Sequence, residues 1–132
     1  MMDKEEIYAL MCQSYQTTFD KDIFDRILWE NINNTFGYYI VVEEHEKVIG
    51  FASLCVEKAL HCLGSFAKIQ EFVVLHDERE EDVATVLLDA IILKAQHLNC
   101  IYMELSLAKG SILPILLKTE FEVKQSIYHI PL

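Results

Sequence analysis

The chain has 132 residues, of which 52% are hydrophobic and 24% charged, with only four glycines and two prolines. That is chain enough for a single domain, residues 1–132, and the composition excludes a disordered or collagen-like protein. Eleven basic residues face twenty-one acidic ones, a net charge of −10, which argues against nucleic acid and acidic membrane surfaces as partners.

The opening MMDKEEIYALM is acidic where a leader peptide is basic. No apolar run approaches the ~20 residues of a membrane span, so a cytoplasmic protein is expected. Asp3 and Glu6 have capping-box spacing, and Ile7, Leu10, Met11 and Tyr15 then recur at helical spacing, predicting a helix over 4–17. Asp20 is placed to cap a second helix running to about 33, with an apolar stripe of Phe24, Ile27, Leu28 and Ile32. Asn33, Asn34 and Gly37 end it.

The period then changes. Residues 38–43 (YYIVVE), 48–56 (VIGFASLCV) and 66–75 (FAKIQEFVVL) are rich in β-branched and aromatic residues, and predict an antiparallel three-strand meander with a turn at 44–46. A long helix is expected over 79–97, with Val83, Val86, Leu87, Ala90 and Ile91 on its apolar face and Leu88, Ile92 and Ala95 widening it. Asn99 suits the position beyond its end. A strand at 101–105 follows. Strand, long helix, strand is the order of a right-handed crossover joining parallel strands. A short helix at 112–118, with Pro114 in its first turn, and closing strands at 121–130 complete a mixed-sheet α/β domain. Cys12, Cys55, Cys62 and Cys100 have no C-x-x-C spacing and are expected to be reduced core thiols. The five histidines show no ligand spacing, so no metal is expected.

This order, with the segment IQEFVVLHDEREEDVATVLLDAI, resembles the GNAT family of acetyl-CoA-dependent N-acetyltransferases. The family pattern is a strand ending V-V-x-x, then R-x-x-G-x-G/A, then a helix opening with L-L. Val73-Val74, Arg79, Ala84 and Leu87-Leu88 match it. YALMCQSYQTTFD and IQEFVV also resemble the aminoalkylphosphonate acetyltransferases of that family. The departures are specific. The chain begins at the first helix where the family has a strand. Asp82 stands at the central loop glycine, Leu116 at the tyrosine that serves many members as general acid, Glu120 at a glycine, and Lys68 where phosphonate-type relatives carry a carboxylate.

The resemblance implies a GNAT-like fold and acetyl-CoA as co-substrate, held along Phe72, Val73 and Val74 and at the loop and helix start Arg79, Glu80, Asp82, Val83, Ala84 and Thr85. A backbone N–H near Phe72–Val74 would receive the thioester carbonyl. Residues 77–82 carry five acids against Arg79. That favours a self-capped helix, with Asp77 and Glu80 as its capping box, and opposes a diphosphate. Glu71, a carboxylate inside an apolar strand, is the candidate base, and Tyr128 the candidate acid for the leaving thiolate. Phe24 and Trp29 are candidate walls of a substrate pocket. Two functions remain open. One is an N-acetyltransferase acting on a small amine; the charge balance favours a cationic one, polyamine-like or aminoglycoside-like. The other is a GNAT-fold binding or regulatory module without catalysis. Without the first strand, the edge at 38–43 is expected to be covered or to pair with a second copy in a homodimer.

Overall fold

The computed structural model describes residues 4–77, 79–105 and 129–132. Its elements are α1 (Lys4–Tyr15), α2 (Lys21–Ile32), β1 (Gly37–Glu44), β2 (Lys47–Ala59), β3 (Gly64–Val74), α3 (Glu80–His97) and β4 (Met103–Leu105). The strands form one mixed sheet in the order β1-β2-β3-β4. The first three pair antiparallel, and β3 pairs with β4 in parallel through Ala67–Met103, Lys68–Glu104 and Ile69–Leu105. The predicted meander, long helix and parallel crossover are all present. The expected capping residue Asp3, the helix at 112–118 and the strand residues through 128 lie outside the described residues.

Local chemistry accounts for the element ends. Asp20 accepts a hydrogen bond from the Ile23 N–H and so caps α2. β1 and β2 are joined by His45 and Glu46, both with positive φ (51° and 63°), as a two-residue turn matched to strand twist requires. α3 ends on Asn99 at φ 59°. There the Cys100 N–H bonds the Ala95 carbonyl and the Asn99 N–H bonds that of Gln96, closing a Schellman motif.

The sheet is covered on both faces. On one, α3 packs Val83, Ala84, Leu87, Leu88, Ile91 and Ala95 against Ile49, Ala52, Leu54, Ala67, Ile69 and Val74. On the other, Ile7 and Leu10 of α1 pack on Val48, Phe51 and Val73. β1 serves both faces by alternation: Tyr38, Ile40 and Val42 point to α3, Tyr39 and Val41 to α1 and α2. A Cβ on Gly50 would sit 3.2 Å from the Val83 methyl, so this glycine lets the first turn of α3 close onto the sheet.

Three expectations are corrected. Val86, expected on the buried face of α3, is exposed, and Ala84 is fully buried in its place. The helix is rotated so that Ala84 and Leu88 face the sheet beside Val83, Leu87 and Ile91. In α2 only Leu28 of the predicted stripe is buried, while Ile27 and Ile32 are more than two-fifths exposed. This helix meets the sheet at β1, with Leu28 buried and Phe24 half-buried against the α1 cluster, and leaves the rest of its stripe exposed. The four cysteines are free but half-buried, not core residues.

Candidate functional site

The space under α2 is a cavity of about 440 Å³. Aromatic contacts prop it open. The Tyr8 hydroxyl donates to the Phe19 carbonyl at 2.6 Å, Tyr8 and Phe24 meet edge to face at 5.0 Å, and Phe19 lies 6.0 Å from Phe24. Lys21 bonds Glu5 at 2.8 Å and Asp25 at 3.0 Å, tying the start of α2 to α1.

The floor is built by an irregularity of β3. Ser53 pairs with Glu71 and Leu54 with Ile69, so Gln70 is an extra residue and the strand bulges there. Gln70 and Glu71 both line the cavity. Ser53 is almost wholly buried. Its hydroxyl donates a short hydrogen bond to the Glu71 carboxylate and accepts the Glu71 N–H at 3.1 Å. The carboxylate is therefore fixed from beneath, with its second oxygen free of that bond. Burial raises the Tyr39 phenol above its ordinary value, a bond with Asn31 opposes this, and the nearby Glu71 charge adds to it. Burial and Glu71 likewise raise Tyr15. Both phenols stay neutral at physiological pH. Among the described residues the cavity walls carry Asp20 and Glu71 but no Lys, Arg or His.

The bulge also sets the strand's other edge. The Leu75 N–H bonds the Ile49 carbonyl on β2. By alternation the Val73 N–H points the same way, and those of Phe72 and Val74 point toward the β4 side. Pairing with β4 covers only Ala67–Ile69 among the described residues. The Val73 and Val74 side chains are buried on opposite faces of the sheet and Phe72 is half-buried.

The start of α3 is differently equipped. Arg79 bonds Glu44 and reaches Asp77 at 3.5 Å. These contacts raise its pKa, while its guanidinium holds the Glu44 carboxyl below the usual range. The expected capping box does not form. The Asp77 carboxylate takes the Arg79 N–H at 2.8 Å, and Glu80 lies 2.6 Å from His76 Nδ1 instead of reaching back. Among the described residues, the other Glu80 oxygen is buried with no hydrogen-bond partner. Asp82 is exposed, Val83 and Ala84 are buried in the core, and the Thr85 hydroxyl bonds the Glu81 carbonyl. For an acyl-coenzyme A ligand the fit is thus divided. The Phe72 and Val74 amides suit a carbonyl, whereas the first turn of α3 carries Glu80, Glu81 and Asp82, whose charge opposes a diphosphate there.

Of the predicted site residues, Glu71 and Phe24 line one cavity. Trp29 is 67% exposed and faces away from it, because it falls one residue past buried Leu28 on a helix whose inner face is Phe24–Leu28. Tyr128 lies outside the described residues. Sequence reasoning missed Ser53, Gln70 and Tyr39. The available signal was the polar pair Gln70-Glu71 breaking strand alternation opposite the lone hydroxyl in FASLCV. Among the described residues no group of three His, Cys, Asp or Glu is placed to hold a metal ion, and no helix is long and apolar enough to cross a membrane.

Comparison with known proteins agrees with this geometry. The model of the acetyltransferase (GNAT) family matches residues 4–111. The fold is similar to a structure described as a transcriptional regulator from Bacillus halodurans C-125 (TM-score 0.87, 15% identity, covering 98% of this chain and 93% of that one). It is similar to a GNAT family acetyltransferase of Staphylococcus aureus USA300_TCH1516 (TM-score 0.82, 16% identity, 99% and 93% covered). A third similar structure is an acetyltransferase of Trypanosoma brucei (TM-score 0.79, 16% identity, 99% and 94% covered). No match is found among curated proteins.

Proposed function

The chain belongs to the acetyltransferase (GNAT) family, and on that premise we propose that it transfers an acetyl group from acetyl-CoA to a small cationic amine bound under α2. The observation that carries this reading is the Glu71 carboxylate, held by buried Ser53 on the floor of a cavity whose described walls carry no positive charge. An ammonium entering there meets a fixed acceptor for its proton. Acetyl-CoA supplies the acyl group and a thiolate leaving group. The Phe72 and Val74 amides are oriented to receive the thioester carbonyl, and Glu71 holds the proton given up by the amine. The balance is complete: an N–C bond forms and a C–S bond breaks. Of the two protons the ammonium loses, one ends on the thiol and one leaves through Glu71. Tyr128 is the proposed donor to the thiolate.

The test is release of free coenzyme A from acetyl-CoA, followed over a panel of primary amines. Amine-dependent release supports the proposal, and none with any amine overturns it.

A second reading has its own observation. The start of α3 already carries Glu80, Glu81 and Asp82 in its first turn, and a structural neighbour is described as a transcriptional regulator. On this reading the chain is a binding module that does not turn over acetyl-CoA. Thermal shift separates the two, since acetyl-CoA at 100 times its dissociation constant stabilises a binder by about 2.7 kcal/mol. We further propose a homodimer formed through β1, one of the two edge strands among the described residues, to be tested by sedimentation. The four free thiols suit the reducing cytoplasm.

A further inference from the structure

Resting on the acetyl-transfer reading, we propose that the acceptor is a primary amine carried on an apolar body, an aralkyl or branched alkyl amine, rather than a polyamine or an amino sugar. The walls of the cavity decide this. Apart from Asp20, Asn31, Gln70 and Glu71, its described lining is apolar or aromatic. Asp20 is already engaged, because it caps α2 through the Ile23 N–H at 3.1 Å. Glu71 is therefore the one carboxylate on the floor, and it lies next to Phe51, Tyr39 and Phe24. A ligand with a single ammonium at one end and hydrocarbon behind it pairs with Glu71 and covers the apolar and aromatic walls.

A polyamine would bring further charges against hydrocarbon, and an amino sugar would bring hydroxyls. Each such group, once buried without a partner, costs more than a hydrophobic wall returns. The volume of about 440 Å³ is in the range that encloses a ligand of this size.

A second observation points the same way. Ile23 and Ile27, on the cavity rim, are each 47% exposed in a chain of net charge −10. Hydrocarbon filling the cavity would cover them.

The experiment measures kcat/KM for acetylation of straight alkylamines of increasing length, of 2-phenylethylamine, of ethanolamine, of 1,4-diaminobutane and of glucosamine. We expect a rise of about three- to four-fold per added methylene, with 2-phenylethylamine well above ethanolamine and both polar amines. Ile27→Asp, on the half-exposed rim, should lower the ratio of 2-phenylethylamine to ethanolamine at least tenfold. Preference for the diamine or the amino sugar overturns this proposal while leaving acetyl transfer standing. If no amine is acetylated, the transfer reading fails and calorimetry decides the rest. Binding of 2-phenylethylamine but not ethanolamine, weakened by Ile27→Asp, supports an apolar amine site; no binding of 2-phenylethylamine overturns it.

Discussion

The two faces of the sheet are built to different ends. Under α3, twelve buried residues among those described form one continuous cluster in which six helix residues meet six from β2 and β3. Among the described residues the cluster under α1 has five buried members, none of them from α2, and the space beneath α2 is a cavity. Aromatic contacts and the Lys21 ion pairs tie α2 to α1. One face closes over its apolar surface, whereas the other keeps a cavity with a buried hydroxyl and a carboxylate at the bottom.

The sharpest division of roles is expected from Glu71→Gln. The amide keeps its shape and can still accept from Ser53, but it cannot take a proton. kcat/KM for amine acetylation should fall about 10²- to 10⁴-fold while the melting temperature moves little. Equal losses of activity and stability would erase the contrast between the faces. On the opposite face, Leu87→Ala should cost about 2–5 kcal/mol in urea unfolding, because Leu87 is fully buried in the dense cluster. Ile27→Ala, from a half-exposed rim, should cost under about 1 kcal/mol. If the two costs are alike, α2 packs as tightly as α3 and the cavity closes in solution.

The start of α3 can be tested against the strand backbone beside it. At ~5 Å and an effective dielectric of ~40, one pair of like charges costs about 1.7 kcal/mol. Replacing both Glu80 and Asp82 by Gly should therefore raise coenzyme A affinity by up to about a hundredfold in titration calorimetry, more at low salt. The same change should destabilise the free protein by roughly 1–3 kcal/mol. Unchanged affinity would mean that these carboxylates do not face the diphosphate. Ser53→Ala should cost about 1–3 kcal/mol, since it strips partners from the Glu71 carboxylate and N–H together. It should also lower kcat more than it raises KM, because Glu71 loses its fixed position.

The smallest effect concerns pH. Bonds from Arg79 and Lys21 hold the Glu44 and Asp25 carboxyls below their ordinary values. Their contribution is present above the unfolded pKa, near 4, and is lost as pH falls through the lower folded values. Melting curves should decline below about pH 4, and Arg79→Gln should flatten that decline by about 1–2 °C, as befits exposed pairs. A decline of equal size in the variant would remove Glu44 from the account.

Much of this architecture was legible in the residues. Asp20 and Asn99 act through local backbone chemistry, so the α2 cap and the α3 terminus follow from sequence. The meander follows from the β-branched and aromatic runs beginning at Tyr38, Val48 and Phe66, and the parallel pairing from the order strand, long helix, strand. What escaped depends on distance in the fold. The bulge at Gln70 exists only relative to Ser53 on another strand. The rotation that buries Ala84 and exposes Val86 answers to Gly50 beneath it. Glu80 turns to His76, four residues before it, so a second local partner competes with the capping box. Glu71 could be picked out as a polar interruption, but its support by a buried hydroxyl could not.

The crossover from β3 through α3 to β4 also has a temporal meaning. The β1–β2 hairpin closes over two residues, and β2–β3 over a short turn. Ala67 meets Met103 only after all of α3 has been laid down between them, so that contact carries a larger closure entropy. The meander is then the natural nucleus, and the parallel ladder forms on a template already in place. Substitutions at Met103 should chiefly speed unfolding, whereas those at the meander centre, such as Ala52, should slow folding itself.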